Sequence, residues 1–301
     1  MNSAEPFVFE FAGCTDYTTP PGIAVEGLAM FSTLMRDFSE FCNPKSFAFG
    51  NATVYKSFIS DYFKRDRWYD KICKVGRKIG EINENGVKYL FEKFEEFCEV
   101  SDCTLVIAPE DDMLLYNLSK IADKYNNLGS PSEAVRIASD KWKVYRKLRR
   151  KVTFPETSLH PLDCKCVVKP RISCGGAGIR MAMHTDSQSS EQFKRQFKSS
   201  SMEMYQEYVE GIPLSVSLVV GEDANVISLN EQILDGFEFA GVTVPAHAFR
   251  QKNEKIIKEV VSEAVEAVTS LKLFGYCGVD VVYGDRAYVV DVNARLTTPA
   301  V

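Results

Sequence analysis

The stretch Gly278-Val279-Asp280-Val281-Val282-Tyr283-Gly284-Asp285-Arg286-Ala287-Tyr288-Val289-Val290-Asp291-Val292-Asn293 reads as two short β-strands around a glycine-led turn. A two-residue loop at Gly284-Asp285 predicts a hairpin in which Tyr283 faces Arg286, Asp280 faces Val289 and Gly278 faces Asp291. Side chains alternate between faces along a strand. Val279, Val281, Tyr283, Tyr288, Val290 and Val292 therefore share the core face in this register, and Asp280, Asp291 and Asn293 share the other. The two aspartates become diagonal cross-strand neighbours, about 7–8 Å apart at the backbone. Carboxylates are disfavoured inside strands, so their presence asks for a reason. Two carboxylates and an amide oxygen on one face are hard-oxygen ligands for Mg²⁺, completed by phosphates and water. Two solvated aspartates on the open face of a hairpin are the plainer alternative.

Just upstream, Ile257, Val260, Val261, Ala264, Val265, Val268 and Leu271 recur at helical spacing. Further upstream, Cys166-Val167-Val168-Lys169-Pro170 reads as a strand ending in a lysine, and Arg171-Ile172-Ser173-Cys174-Gly175-Gly176-Ala177-Gly178 follows at once. Glycines this dense let backbone N–H groups converge on an anion without a Cβ in the way. The lysine precedes the glycines and no Gly-Lys-Ser/Thr follows, so this is not a Walker A loop; a purely structural turn accounts for it equally well. Before it, seven of the eleven residues from 141 to 151 are basic, beginning with Lys141. They form either a solvated helix face or a surface that meets phosphate.

Residues 1–130 read as an α/β layer. Pro6–Phe11 is a short strand, followed by a turn-rich loop from Ala12 to Gly22 that contains Pro20-Pro21-Gly22. Leu28, Phe31, Leu34, Met35, Phe38 and Phe41 form one helical stripe, and Val87, Leu90, Phe91, Phe94, Phe97 and Cys98 another. Cys103–Ala108 is a continuous apolar run, the pattern of a strand covered on both faces. Strand, helix, strand, helix predicts a parallel sheet. No GxGxxG follows the first strand, so the dinucleotide fingerprint is missing. Glu10, Cys14 and Glu26 lie near the end of that strand, where a structural role outweighs a substrate role. Arg180, just after the glycine loop, and Asn230 stand in the same balance, with an anion contact as the alternative to a structural role.

The 301 residues are 45% hydrophobic and 26% charged, which excludes disorder and collagen-like repeats. No apolar run approaches a membrane span. Met1–Pro6 lacks the features of a signal peptide. Nine cysteines without a CxxC, and three isolated histidines (His160, His184, His247), fit neither a disulfide scaffold nor a zinc site. A reducing cytoplasm is the expected location. A net charge of −5 and the absence of a nucleic-acid motif argue against nucleic-acid binding.

The order is thus Lys141, Lys169, the glycine loop, Gln206-Glu207-Tyr208-Val209-Glu210-Gly211, then Asp280 and Asp291-Val292-Asn293. This order resembles the ATP-grasp superfamily, over residues 103–301. Phe9-Glu10-Phe11, Ile107-Ala108-Pro109-Glu110, Leu214–Leu218, Ser228-Leu229-Asn230 and Gly275–Asp280 are similar to archaeal ligases of that superfamily. The resemblance implies an ATP-grasp fold, α/β and α+β. Residues 1–130 would be a Rossmann-like α/β domain, 131–205 a lid subdomain and 206–301 a C-terminal subdomain with the metal site. It implies that Lys141 and Lys169 contact the α- and β-phosphates, that Ser173, Gly175, Gly176 and Gly178 close over the phosphates, and that Gln206, Glu207 and Val209 line the adenine site. Asp280, Asp291 and Asn293 would hold Mg²⁺ or Mn²⁺; Arg295, with Lys169, would serve the transferred phosphoryl group. The implied reaction is ATP-dependent joining of a small carboxylic acid, an amino acid, to an amine through an acyl phosphate, with no nucleic acid or membrane partner and with a homodimer as the candidate assembly. Joining two amino acids, phosphorylation without ligation, and ATP binding without catalysis are the alternatives. The chain departs from many superfamily members in having aspartates for two metal glutamates, Ile212-Pro213-Leu214-Ser215 where a ribose-binding glutamate often stands, and Gly278 where D-alanine-type ligases carry an arginine.

Overall fold

The computed structural model describes residues 3–17, 21–75, 84–182, 202–246 and 254–300; Pro20, His184 and His247 lie outside them. The chain divides into two compact units. One comprises Met1–Val135, Phe274–Tyr276 and Arg295–Val301, the other Arg136–Leu273 and Cys277–Ala294. Among the described residues no helix is long and apolar enough to cross a membrane.

The first unit holds strands β1 (Pro6–Glu10), β2 (Ser46–Phe49), β3 (Ile72–Val75) and β4 (Cys103–Ile107). β1 pairs with β4 and β2 with β3, both in parallel, and a parallel bridge from Phe7 to Lys45 joins the pairs in the order β3-β2-β1-β4. The expected parallel layer is there. Its core is aromatic: Phe7, Phe9, Phe47, Phe49 and Phe94 are fully buried, with ring centroids 5.0 Å apart for Phe9 and Phe47. Helices α1 (Phe11–Cys14), α2 (Pro21–Phe41), α3 (Ser57–Phe63), α4 (Glu84–Glu99), α5 (Leu114–Ala122) and α6 (Ser132–Ala138) complete the elements up to the boundary between the units.

The expected loop after the first strand is partly helical. Glu10 ends β1 and caps α1, its carboxylate accepting from the amides of Ala12 (2.9 Å) and Gly13. That capping turns Phe11 out of the strand. α2 begins at Pro21, inside the predicted loop, where the fixed φ of proline suits a first helical position. A Cβ on Gly27 of α2 would stand 2.3 Å from Glu10 Oε1, so the helix approaches the buried carboxyl only because that residue is glycine. Glu10 is a structural residue of this unit. Burial pushes its carboxyl up to about 7, and burial likewise raises the Cys14 thiol to about 12.

The second unit has two sheets. After α7 (Lys141–Leu148), β5 (Thr157–Ser158), β6 (Cys166–Pro170), β7 (Arg180–Ala182) and β8 (Glu203–Glu207) form one sheet in the order β5-β8-β6-β7. The other sheet runs β11-β10-β9-β12-β13. Its strands are β9 (Ile212–Val220), β10 (Ala224–Asp235), β11 (Glu238–Thr243), β12 (Gly275–Tyr283) and β13 (Ala287–Asn293). Helix α8 (Glu254–Leu271) packs on it; Val260, Ala264, Ala267, Val268 and Leu271 are buried, as are Leu214, Val216 and Leu218 of β9.

The β12–β13 hairpin forms, but in a different register from the one predicted. Tyr283 pairs with Ala287, so three residues, Gly284–Arg286, make the loop. Val281 then faces Val289, while Asp280 faces Asp291 directly rather than diagonally. The extra residue is Val290, a β-bulge that shifts the alternation by one. The core residues of β13 are therefore Ala287, Val289 and Val292, and the predicted core positions Tyr288 and Val290 are only partly buried. The bulge lets the strand send Val289 into the core and still bring Asp291 level with Asp280.

Candidate active site

Eleven residues of the basic stretch reduce to one buried cation. Asp140 caps α7, its Oδ1 accepting from the amides of Trp142 at 3.0 Å and Lys143 at 3.3 Å. This puts Lys141 at the first helical position with its side chain buried, while Arg146, Lys147, Arg149, Arg150 and Lys151 are exposed. Lys141 Nζ lies 3.1 Å from Asp291 Oδ2 and donates to the Ser173 carbonyl at 2.8 Å. One ammonium thus joins the helix, the start of the glycine loop and the β13 carboxylate. Asp140 does more than cap: Arg171 Nε reaches its Oδ1 at 3.1 Å. Burial alone would raise the Asp140 carboxyl, but the Arg171 guanidinium holds it below the usual carboxylate range.

Lys169, at the end of β6, is 5% exposed, and its Nζ donates to the Val290 carbonyl at 3.2 Å. The bulge at Val290 therefore also supplies an acceptor for this lysine. Burial pulls the Lys169 ammonium down to about 8, against the opposing pull of Asp291 and with Lys141 adding to the depression. Two lysines and two aspartates share this part of the second unit.

The loop from Ser173 to Gly178 has the backbone its glycines suggest. Gly175, Gly176 and Gly178 have φ of +62°, +80° and +75°. The loop rests on the β10–β11 turn: Phe239 donates its amide to the Gly175 carbonyl at 3.0 Å, and a Cβ on Gly176 would stand 1.9 Å from the Phe237 carbonyl oxygen. Ser173 Oγ is buried and has no hydrogen-bond partner among the described residues. A buried hydroxyl left in that condition is a donor waiting for an acceptor. Gly176→Ala is expected to displace the loop and raise the KM for ATP by about 10- to 100-fold. An ATP titration of initial rates checks it, and an unchanged KM would remove the loop from the nucleotide site.

Gln206 is buried in β8, its Nε2 donating to Thr157 Oγ1 at 3.0 Å. The amide of Glu207 is bonded to the Glu156 carbonyl at 2.8 Å. Asp280 Oδ1 accepts from Gln232 Nε2 at 3.0 Å and Oδ2 from Asn293 Nδ2 at 3.4 Å. Among the described residues no three His, Cys, Asp or Glu side chains group to hold a metal; this candidate site has two carboxylates and an amide. That donor set still suits Mg²⁺, which uses one or two carboxylates and takes its remaining ligands from phosphates and water.

Arg295 belongs to the first unit. Its Nε and Nη2 reach the Glu110 carboxylate at 2.8 and 3.2 Å, a bidentate pair, and Nη1 donates to the Leu296 carbonyl. Also in that unit, Thr298 Oγ1 donates to Glu26 at 3.2 Å, and burial raises the Glu26 carboxyl. Of the further candidates, Arg180 is engaged by Glu203 at 2.8 Å, and buried Asn230 donates to Ser217 Oγ at 3.1 Å.

Asp140, Glu110 and Gln232 hold site residues in ways that the sequence motifs do not state. Asp140 had a readable signal, a capping residue directly before a helical run. The partners of Glu110 and Gln232 are 185 and 48 residues away, and no local pattern reveals them.

A pre ATP-grasp 3 domain model matches residues 84–135, and an ATP-grasp domain model matches residues 138–299. The tyramine–L-glutamate ligase of Methanocaldococcus fervens is 34% identical over 295 residues, covering 96% of this chain and 86% of that protein. The corresponding ligase of Methanocaldococcus jannaschii is 35% identical over 294 residues, covering 96% and 82%. Among solved structures, an ATP-grasp superfamily protein from Archaeoglobus fulgidus superposes with a TM-score of 0.76 at 39% identity, covering 99% of this chain and 82% of that one. An L-amino acid ligase from Bacillus licheniformis shares the fold at 15% identity, with a TM-score of 0.65 and coverage of 99% and 68%. With a domain model matched over more than half its length and relatives aligned along nearly all of it, the chain belongs to the ATP-grasp family.

Proposed function

We propose that this protein is an ATP-dependent carboxylate–amine ligase that joins L-glutamate to tyramine. The observation that carries the reading is the Lys141–Asp291 pair beside buried Lys169, in a chain about one-third identical to tyramine–L-glutamate ligases over 96% of its length. Lys141 and Lys169 bind phosphate oxygens, and the backbone of Ser173–Gly178 covers them. Gln206, Glu207 and Val209 border the adenine. Asp280, Asp291 and Asn293 would hold Mg²⁺ or Mn²⁺, which supplies charge neutralisation of the phosphates when bound. The protein's own part in the chemistry is electrostatic, because phosphoryl transfer to a carboxylate leaves little covalent work for side chains. The acid's carboxylate takes the γ-phosphoryl group of ATP, and ADP is the leaving group. The amine then attacks the acyl carbon, phosphate leaves, the nitrogen gives up a proton and an amide remains. The family resemblance is what gives Arg295 a charge-stabilising role toward the transferred phosphoryl group. Three functional parts at 1–130, 131–205 and 206–301, a homodimer and a cytoplasmic location belong to the same reading.

The test is release of ADP and phosphate with glutamate and tyramine present together, and mass spectrometry of the product. An amide one water lighter than the summed substrates is expected. Release equal to the blank without substrates overturns the substrate assignment, and a phosphorylated acid accumulating without amide would identify a kinase instead.

A further inference from the structure

Asp280 and Asp291 face each other across the hairpin. Asp291 has the Lys141 ammonium on Oδ2, and the Val292 amide reaches its Oδ1 at 3.0 Å. Asp280 has a side-chain amide on each oxygen, from Gln232 and from Asn293. A side-chain amide that donates to a carboxylate oxygen fixes the direction in which the carboxylate points.

The two amides are not equivalent. Asn293 sits on β13, opposite Gly278 and within the same hairpin as Asp280. Gln232 sits on β10, and β9 lies between β10 and β12, so its side chain crosses a strand to reach Asp280. It does so with the shorter of the two bonds. A carboxylate already held by such a bond has lost its rotational freedom on folding and does not lose it again on taking a metal. Partners of this kind tune metal sites in general.

The strand that carries Gln232 has a second attachment. β10 turns through Gly236 and Phe237 into β11, and that turn is where Gly175 and Gly176 rest. Gln232 pairs with Val242, three positions before Asp235 pairs with Glu238 at the turn. One hairpin therefore meets the glycine loop at its tip and Asp280 further along, all within the second unit.

We propose that Gln232 is a positioning residue whose amide orients the Asp280 carboxylate for the divalent cation bound with the nucleotide. The inference rests on the ATP-dependent reading above. Gln232→Met keeps the side-chain length and removes the donor. In this variant Mn²⁺ binding in the presence of ADP, read from the free-ion EPR signal, is expected to weaken about tenfold. ADP binding in EDTA, by calorimetry, is expected to stay unchanged. In turnover the KM for Mg²⁺ should rise by the same factor while kcat at saturating Mg²⁺ stays within about twofold. Gln232→Ser, measured alongside, keeps the test valid if the methionine variant folds poorly. Wild-type Mn²⁺ affinity in a folded variant overturns the proposal. So does an equal loss of ADP binding in EDTA, which would mark a general lesion. If the wild-type protein takes up no Mn²⁺ with ADP, the ATP-dependent reading itself fails, and this proposal with it.

Discussion

Lys169→Met is expected to cost about 10²- to 10³-fold in turnover while leaving the melting temperature unchanged or higher. The ammonium of Lys169 is buried against the Val290 carbonyl, and its environment lowers it to about 8 from an ordinary value of 10.5. A depressed lysine means that the folded protein disfavours the charged form, here by roughly 3 kcal/mol. Between about pH 8 and 10.5 the unfolded chain holds a proton that the folded protein has released, so stability rises with pH across that window. The destabilisation is fully present below pH 8, where the enzyme must work with the cation in place. Methionine removes the charge and its desolvation cost together, but it also removes the cation from the phosphate site. The same titration predicts that kcat/KM for ATP in the wild type falls above about pH 8, because that parameter reports the free enzyme. Thermal melting, ADP release and a pH profile of the wild type test all three points. A methionine variant of normal activity would remove Lys169 from the site.

Asp291→Asn should lose activity to a similar degree, about 10²- to 10³-fold, but with the opposite effect on stability. Its Oδ2 is the carboxylate partner of buried Lys141. Asparagine keeps the shape and deletes the charge, so an ammonium is left buried without its carboxylate. Breaking a fully buried pair costs several kcal/mol; Asp291 is 22% exposed in its side chain, which lowers the expectation to about 1–3 kcal/mol. The melting temperature should fall by several degrees, and Mg²⁺ should no longer raise the affinity for ADP. Calorimetric melting and ADP titration with and without Mg²⁺ are the measurements. A variant that melts at the wild-type temperature and still shows the Mg²⁺ effect would separate Asp291 from both Lys141 and the cation. The paired experiments discriminate more than either alone, because a general loss of structure would lower both melting temperatures.

Much of the chemistry was legible in the order of residues. A lysine ending a strand, dense glycines behind it and two aspartates in a valine hairpin are local patterns, and local patterns follow from side-chain periodicity and backbone freedom. The parallel layer of the first unit was also legible from its apolar runs, although the four-residue strands β2 and β3 were too short to announce themselves.

Three matters were decided only by tertiary structure. Seven basic residues between 141 and 151 look alike in sequence, and only Lys141 is buried, because the Asp140 cap and the Ser173 and Asp291 contacts direct that one inward. The hairpin register is moved by one residue at the three-residue loop, Gly284–Arg286, and by one more at the bulged Val290, shifts that no alternation rule marks and that together bring the aspartates face to face. Gln232 meets Asp280 across an intervening strand. Sequence patterns report which face of its own element a residue occupies. Which partner meets that face is determined by packing between segments tens to hundreds of residues apart, and that packing exists only in the folded chain.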